Sequence, residues 1–388
     1  MIYLDFAAAT PVDERVFKAM EPYFLSDFFN PSAPYLPAKR VKEAYEEAKN
    51  ELAHTIGAKG ADLVMTAGAT ESINLAMSVA SGKILYLATE HAAVRESARR
   101  FGSSFEEIAV DKTGLIDLSD LRAKLSGDVT MISVSAANNE LGTIQPLSAI
   151  AEIVREERQK RLARGDKTPL CLHSDASQAM SLIDINVRRL GVDLLTINSA
   201  KVYGPKGVGA LYIAHGVDVK PLVFGGGQER GLRSGTENVP GVIGFAKAAV
   251  IAKEHINGNR KKYEKLGAIL REELKKCVVE PVFLGNKKHS LANFCTVSFP
   301  GIDAERLIYK LESREIYIST GAACAASKGE KSHVLTAIGL SDSEIAGSIR
   351  VTMGALNDEE QIRTAAKEII KAVNEEAERT GLIGGQND

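Results

Sequence analysis

The stretch His173-Ser174-Asp175-Ala176-Ser177-Gln178, with Asn198-Ser199-Ala200-Lys201-Val202-Tyr203-Gly204-Pro205-Lys206-Gly207 downstream of it, sets an acid and a lysine at matching points of two apolar runs. Asp175 closes Pro169-Leu170-Cys171-Leu172, and Lys201 follows Val192-Asp193-Leu194-Leu195-Thr196-Ile197. Short apolar runs that give way to polar loops read as buried strands. In open α/β sheets the loops past the strand ends form the ligand crevice.

An acid at one strand end and a lysine at the next suit pyridoxal phosphate (PLP). The lysine supplies the Schiff-base amine, and the carboxylate keeps the ring nitrogen protonated so that the ring draws electrons. The same pair also reads as a surface Asp and a surface Lys on an ordinary sheet, because lysines near strand ends are mostly solvated. Lys206 is a rival amine, but it lies in the glycine-rich turn beyond the strand end.

Outward from this stretch, strands and helices alternate. Leu63-Val64-Met65-Thr66 runs through Ala67-Gly68-Ala69-Thr70-Glu71-Ser72 into an apolar helix, and such a turn offers N–H groups and a helix dipole to an anion. It reads equally as a tight βα turn capped by Thr70. Ile84-Leu85-Tyr86-Leu87 precedes Glu90-His91, and Met131-Ile132-Ser133-Val134 precedes Asn138-Asn139-Glu140-Leu141-Gly142. This rhythm predicts a mostly parallel sheet with helices on both faces. His91 fits either a cap or a ring stacked on a cofactor, and Asn139 a turn former or a contact to a ligand oxygen.

The chain has 388 residues, more than one core comfortably supports, so two domains are expected. The boundaries predicted are 13–257 for a large domain, with 1–12 and 258–388 forming a small α+β domain; the break is placed at Asn257-Gly258-Asn259 inside a helical region from Val239 to Cys277. A charged helix near 146–164 reads as a solvated face, and residues 39–56 as an amphipathic helix ending at Gly57. Gly225 to Thr236 reads as an exposed, mobile or ligand-facing loop. A net charge of -2 gives no electrostatic case for nucleic acid or an anionic membrane. With no basic-then-apolar start and no long apolar run, a cytoplasmic protein is expected. The four cysteines have no paired spacing, so neither a disulfide framework nor a metal site is expected.

Thr320-Gly321-Ala322-Ala323-Cys324-Ala325-Ala326-Ser327-Lys328-Gly329-Glu330-Lys331 holds little that could anchor to a core, so the sequence predicts a mobile loop, about 319–332, with an accessible thiol. Such a cysteine serves as a nucleophile where positive charge, as from Lys328 and Lys331, favours its thiolate; it also reads as an incidental surface thiol.

Taken together the chain resembles the PLP-dependent cysteine desulfurases of the NifS/IscS-like, class V aminotransferase-like group, of fold type I. The resemblance runs nearly end to end. It rests on Tyr3-Leu4-Asp5 with Thr10-Pro11-Val12, Gly68-Ala69-Thr70-Glu71-Ser72, Glu90-His91, Asn138 to Gly142, Asp175 to Gln178, Lys201 to Gly207, Arg233-Ser234-Gly235-Thr236-Glu237-Asn238, and Cys324 followed by Ser332-His333-Val334-Leu335. It implies an α/β fold with a large PLP-binding domain, L-cysteine as substrate, L-alanine as product, and a homodimer passing sulfur to an acceptor protein for iron–sulfur cluster or thio-cofactor synthesis.

The resemblance also implies roles. Lys201 would bind the cofactor and move protons at the substrate α-carbon, Asp175 would pair with the ring nitrogen, and His91 would stack on the ring as an acid/base. Gln178 and Asn139 would contact the ring oxygen. Ala69 and Thr70 would hold the phosphate, with Thr236 reaching the neighbouring subunit's. Arg350, assisted by Asn139, would take the substrate carboxylate through its planar fork. Cys324 would receive the sulfur as a persulfide.

Three places depart from the family pattern. Ala200 replaces the histidine of Ser-x-His-Lys, a donor to phosphate worth about 1.5–3 kcal/mol, leaving Asn198 and Ser199 as substitutes. The loop Asn30 to Pro37 carries extra prolines, and Ala355 follows Gly354 where an arginine is usual. These departures keep selenocysteine lyase, cystine lyase, aminotransferase and a catalytically weak scaffold protein as alternatives.

Overall fold

The computed structural model describes residues 1–320 and 331–382. Its strands in chain order are β1 (Ile2–Tyr3), β2 (Leu63–Thr66), β3 (Lys83–Leu87), β4 (Phe105–Ile108), β5 (Val129–Ser133), β6 (Cys171–Asp175), β7 (Leu194–Asn198), β8 (Gly209–Ile213), β9 (Val282–Phe283), β10 (Phe294–Ser298), β11 (Ile316–Tyr317), β12 (Ser319–Thr320) and β13 (Ser348–Thr352).

Seven of them form the central sheet, ordered β2-β8-β7-β6-β5-β3-β4. The pairs from β7 to β4 are parallel, and β8 alone runs against both of its neighbours. The mostly parallel sheet read from the sequence is therefore what forms. Crossover helices cover both faces, so β2 and β5 are buried along their whole length, and their composition is apolar without alternation.

A second sheet, β12-β13-β10-β9, is antiparallel. The run Ile316 to Ser319, which reads as one strand, is split in two. Its first half pairs with β1 and its second with β13, so the chain start is woven into the C-terminal part of the fold. An isolated bridge between Asp5 and Thr352 continues that join.

The helix Val239–Leu274 runs unbroken for 36 residues, against the expected interruption at Asn257-Gly258-Asn259. A glycine inside a helix costs only about 1 kcal/mol. Burial on either side, by Val242, Phe245 and Ala249 before it and Tyr263, Leu266 and Leu270 after it, outweighs that cost.

The loop following Gly225 is not free along its length. Glu229 and Arg230 adopt positive φ values of 48° and 61°, and this turn drives the Glu229 carboxylate inward. There it meets Lys49 Nζ at 2.9 Å, the Tyr45 hydroxyl at 2.5 Å and the Met65 N–H at 2.9 Å, the last of these on the edge strand β2. Lys49 and Glu229 are both nearly fully buried. Removing one member of a buried pair strands the other, so Glu229→Ala should lose about 3–5 kcal/mol in chemical denaturation, and Glu229→Leu with Lys49→Met should lose clearly less.

Candidate active site at the strand ends

The C-terminal ends of β2, β3, β5, β6 and β7 carry Thr70, His91, Asn139, Asp175 and Lys201 in turn, the sequence having placed one polar loop after each apolar run. Lys201 ends a short 3-10 turn, Ser199–Lys201. Its ammonium donates to the Ala7 carbonyl at 2.7 Å and to the Ala8 carbonyl at 2.5 Å. The Gln178 amide also donates to Ala7 O, at 3.0 Å. The chain start thus lies across the site, a contact that no local sequence signal announces.

His91 caps the helix Ala92–Phe101, with Nδ1 accepting from the Ala93 N–H at 3.1 Å. In the neutral ring this leaves the proton on Nε2. Burial pulls the imidazole below its ordinary range; the Asp175 carboxylate opposes that shift and the Lys201 ammonium reinforces it. The same three residues that the sequence singled out therefore feel one another. Asp175 Oδ1 accepts from the Ser177 N–H at 2.9 Å, and Oδ2 has no hydrogen-bond partner among the described residues.

Beside this group lie acids whose burial no sequence signal foretold. Glu90 accepts from the Ser135 N–H and hydroxyl, both at 2.5 Å, and burial pushes its carboxyl up to about 8. Glu140 accepts from the Ser332 hydroxyl at 2.6 Å and is pushed up by burial to about 7. His333 meets the Glu90 carbonyl at 2.8 Å through Nε2. Ser332 and His333 thereby tie the start of the helix His333–Ala337 to the residues beside His91 and Asn139. Cys324 and the loop around it lie outside the described residues apart from its two ends.

Arg350 stands on β13, opposite Thr296 of β10 and Ser319 of β12. Its fork donates to Asp5 Oδ1 at 2.6 Å and to the Asn139 carbonyl at 2.9 Å. His173, on β6 two residues before Asp175, is held inside the sheet. Its ring nitrogens contact Ser133 Oγ at 2.8 Å and Thr196 Oγ1 at 3.0 Å within the sheet, and burial pulls it down to about 3.

PLP needs an acid, an amine and an anion cradle, and the residues present fit it. Asp175 has an available oxygen, and its carboxylate and the Lys201 ammonium both act on the His91 imidazole. The helix Ala69–Met77 begins at Gly68, whose φ of 151° leaves open space where a Cβ would stand. Its first-turn N–H groups and the exposed Thr70 hydroxyl can receive phosphate oxygens. Gly209 lets β8 close on this turn, since a Cβ there would fall 2.8 Å from Gly68 Cα. β8 also pairs Gly209 with Asn198, which brings Asn198 near the same turn.

With Ala200 in place of the usual histidine, Asn198 caps the turn through Oδ1, at 3.2 Å from the Ala200 N–H, and its amide nitrogen has no partner among the described residues. Ser199 is fully buried with its hydroxyl toward Gly204, where a Cβ would lie 2.1 Å away, and that hydroxyl has no hydrogen-bond partner among the described residues. Thr236 is exposed and makes no hydrogen bond among the described residues.

Residues 2–364 match the sequence profile of the class-V aminotransferase family. The protein named cysteine desulfurase IscS 1 of Archaeoglobus fulgidus is 38% identical over 372 residues, covering 93% of this chain and 94% of its own. Putative cysteine desulfurase IscS 1 of Bacillus subtilis is 36% identical over 383 residues, covering 96% and 98%. Among solved structures, a NifS-like protein superposes with a TM-score of 0.88 at 33% identity, over 95% of this chain and 98% of that one. SspA in complex with cysteine gives a TM-score of 0.77 at 31% identity, over 91% and 99%.

The buried carboxyls carry a pH signature. Glu90 and Glu140 hold protons in the folded state that the unfolded chain, at its ordinary 4.5, releases. Their contribution to stability is complete below that value and lost as pH rises through about 8 for Glu90 and about 7 for Glu140. Neutral buried imidazoles such as His173 act oppositely, losing stability as pH falls below 6.5. Glu90→Gln keeps an acceptor for the Ser135 N–H without an ionisable proton, so urea midpoints for it should decline less between pH 6 and 9 than those of the parent.

Proposed function

The chain belongs to the class-V aminotransferase family, and from that we propose that it is a PLP-dependent cysteine desulfurase. It converts L-cysteine to L-alanine and passes the sulfur to Cys324 as a persulfide, for delivery to an acceptor protein in iron–sulfur cluster or thio-cofactor synthesis. The observation that carries the reading is that the Asp175 carboxylate closing β6 and the Lys201 ammonium just past β7 both act electrostatically on the buried imidazole of His91, at the C-terminal edge of the same sheet.

PLP, when bound, supplies an electron sink for chemistry at the substrate α-carbon. Lys201 holds the cofactor and then moves protons at that carbon, the Ala7 and Ala8 carbonyls keeping its amine in reach. Asp175 keeps the ring nitrogen protonated through its available oxygen. His91 covers the ring and, with its proton on Nε2, serves as acid/base. Asn139 and Gln178 orient the ring oxygen. Ala69, Thr70 and Asn198 hold the phosphate, with Thr236 donating to the neighbouring subunit. Arg350 receives the substrate carboxylate.

The other thiols make poor nucleophiles. Burial pushes Cys171 and Cys295 up to about 11 and Cys277 up to about 12, which leaves Cys324 as the sulfur acceptor by position in the family pattern. Among the described residues the cysteines Cys171, Cys277 and Cys295 are unpaired, which accords with a cytoplasmic location.

The homodimer and the division into domains 13–257 and 1–12 with 258–388 belong to the same proposal. Phe24, Leu25, Phe28 and Leu36 are 58%, 73%, 67% and 61% exposed along one segment, and Phe224 is 81% exposed; aromatic surface of this kind is usual at subunit contacts.

Cysteine-dependent sulfide and alanine should both disappear in Cys324→Ala while the visible absorbance of bound PLP persists. Alanine released at the parental rate by that variant would overturn the persulfide route. Phe28→Glu should shift the light-scattering mass toward a monomer. Ala200→His restores a donor toward the phosphate and should slow PLP loss on dialysis by about tenfold or more, one charged hydrogen bond being worth about 1.5–3 kcal/mol.

A further inference from the structure

Arg350 is a buried cation, 4% exposed, whose partners differ sharply in kind. Nη1 donates to a neutral backbone carbonyl, that of Asn139, and Nη2 to a carboxylate, that of Asp5. Nε is buried with no hydrogen-bond partner among the described residues. Asp5 cannot drift from this position. Its backbone bridges Thr352, two residues along β13 from Arg350, and Thr352 N–H donates to the Leu4 carbonyl at 2.7 Å. The Tyr3 hydroxyl holds the Asp5 carbonyl at 2.8 Å. Each Nη donates once and so keeps a second N–H, and Nε–H has no partner among the described residues, so a second carboxylate can still pair with the guanidinium, but beside a fixed negative charge.

We propose that Asp5 is a specificity-determining counter-ion: it holds the Arg350 fork in plane and screens its charge, so that the subsite takes the single carboxylate of an amino acid and rejects free inorganic anions. The physical ground is that an uncompensated buried guanidinium binds small oxyanions in a bidentate way, whereas a neighbouring carboxylate disfavours each added negative charge. A substrate anchored elsewhere through its amino group overcomes this penalty, and an untethered sulfate does not. The inference rests on the assignment of Arg350 to the substrate carboxylate.

The test uses the PLP-loaded enzyme and Asp5→Asn, which preserves shape and an acceptor oxygen while deleting the charge. KM for cysteine in low-salt buffer should fall and the sulfate concentration giving half inhibition should drop, each by about tenfold, the least that a neighbouring charge typically shifts an ionic equilibrium. kcat should change much less. Asp5→Glu, which keeps the charge, should retain the parent's resistance to sulfate. A merely structural role would weaken cysteine binding in Asp5→Asn and leave sulfate inhibition at the parental value; that result overturns the proposal. The same competition is read without turnover by titrating the visible absorbance with L-alanine in the presence of sulfate. That arm still decides the role of Asp5 if cysteine proves not to be the substrate. Asp5→Ser repeats both arms, with the same two outcomes, if Asp5→Asn does not retain PLP.

Discussion

A parallel strand hemmed in by helices leaves its side chains no polar surroundings until it ends, and the site is built from that constraint. β2, β3, β5, β6 and β7 are buried, and the first freedom each gains is in the loop past its C-terminal residue. Asp175 closes its strand, and Thr70, His91, Asn139 and Lys201 lie in the segments that follow theirs. They converge because the strands are neighbours in one sheet, however far apart they stand in sequence. β8 departs from the parallel direction, and its contribution is of another kind. It carries Gly209, which lets the turn after β2 and the end of β7 approach one another closely.

Charge is handled by two different means around this crevice. Where a cation must be kept, it is given a carboxylate in fixed geometry, as Lys49 with Glu229 and Arg350 with Asp5. Where an acid has no cation bonded to it, as with Glu90 and Glu140, serine donors hold it and burial favours its neutral form. The two devices also connect parts of the chain. Glu229 fixes the glycine-rich loop to the edge strand, and Ser332 and His333 fix the helix after the cysteine segment to the loops bearing Asn139 and His91. Desolvation makes each contact matter more than it would in water.

Much of the fold is readable from the apolar runs, because fully buried strands need unbroken apolar sequence and their loops need polar residues. The runs ending at Asp175 and before Lys201 are of this sort, and the acid and the lysine follow from reading them. Where the reading failed, longer-range packing had overruled a local preference. Asn257-Gly258-Asn259 is a reasonable helix break that burial on both sides carries through. Ile316 to Ser319 is a reasonable single strand that two sheets divide between them.

The sequence by itself determined the alternation of strands and helices and the family the chain belongs to, and it singled out the acid, lysine, histidine and cysteine to which the chemistry is proposed to fall. Those depend on residue type and short spacing, which the chain states directly. Tertiary structure alone decided that the chain start crosses the crevice, that Ala7 and Ala8 present carbonyls to Lys201, and that Asp5 meets Arg350 across 345 positions of sequence. Nothing local encodes such pairings. They arise when two sheets and a long helix have packed and a charge left in the interior has to find its partner there.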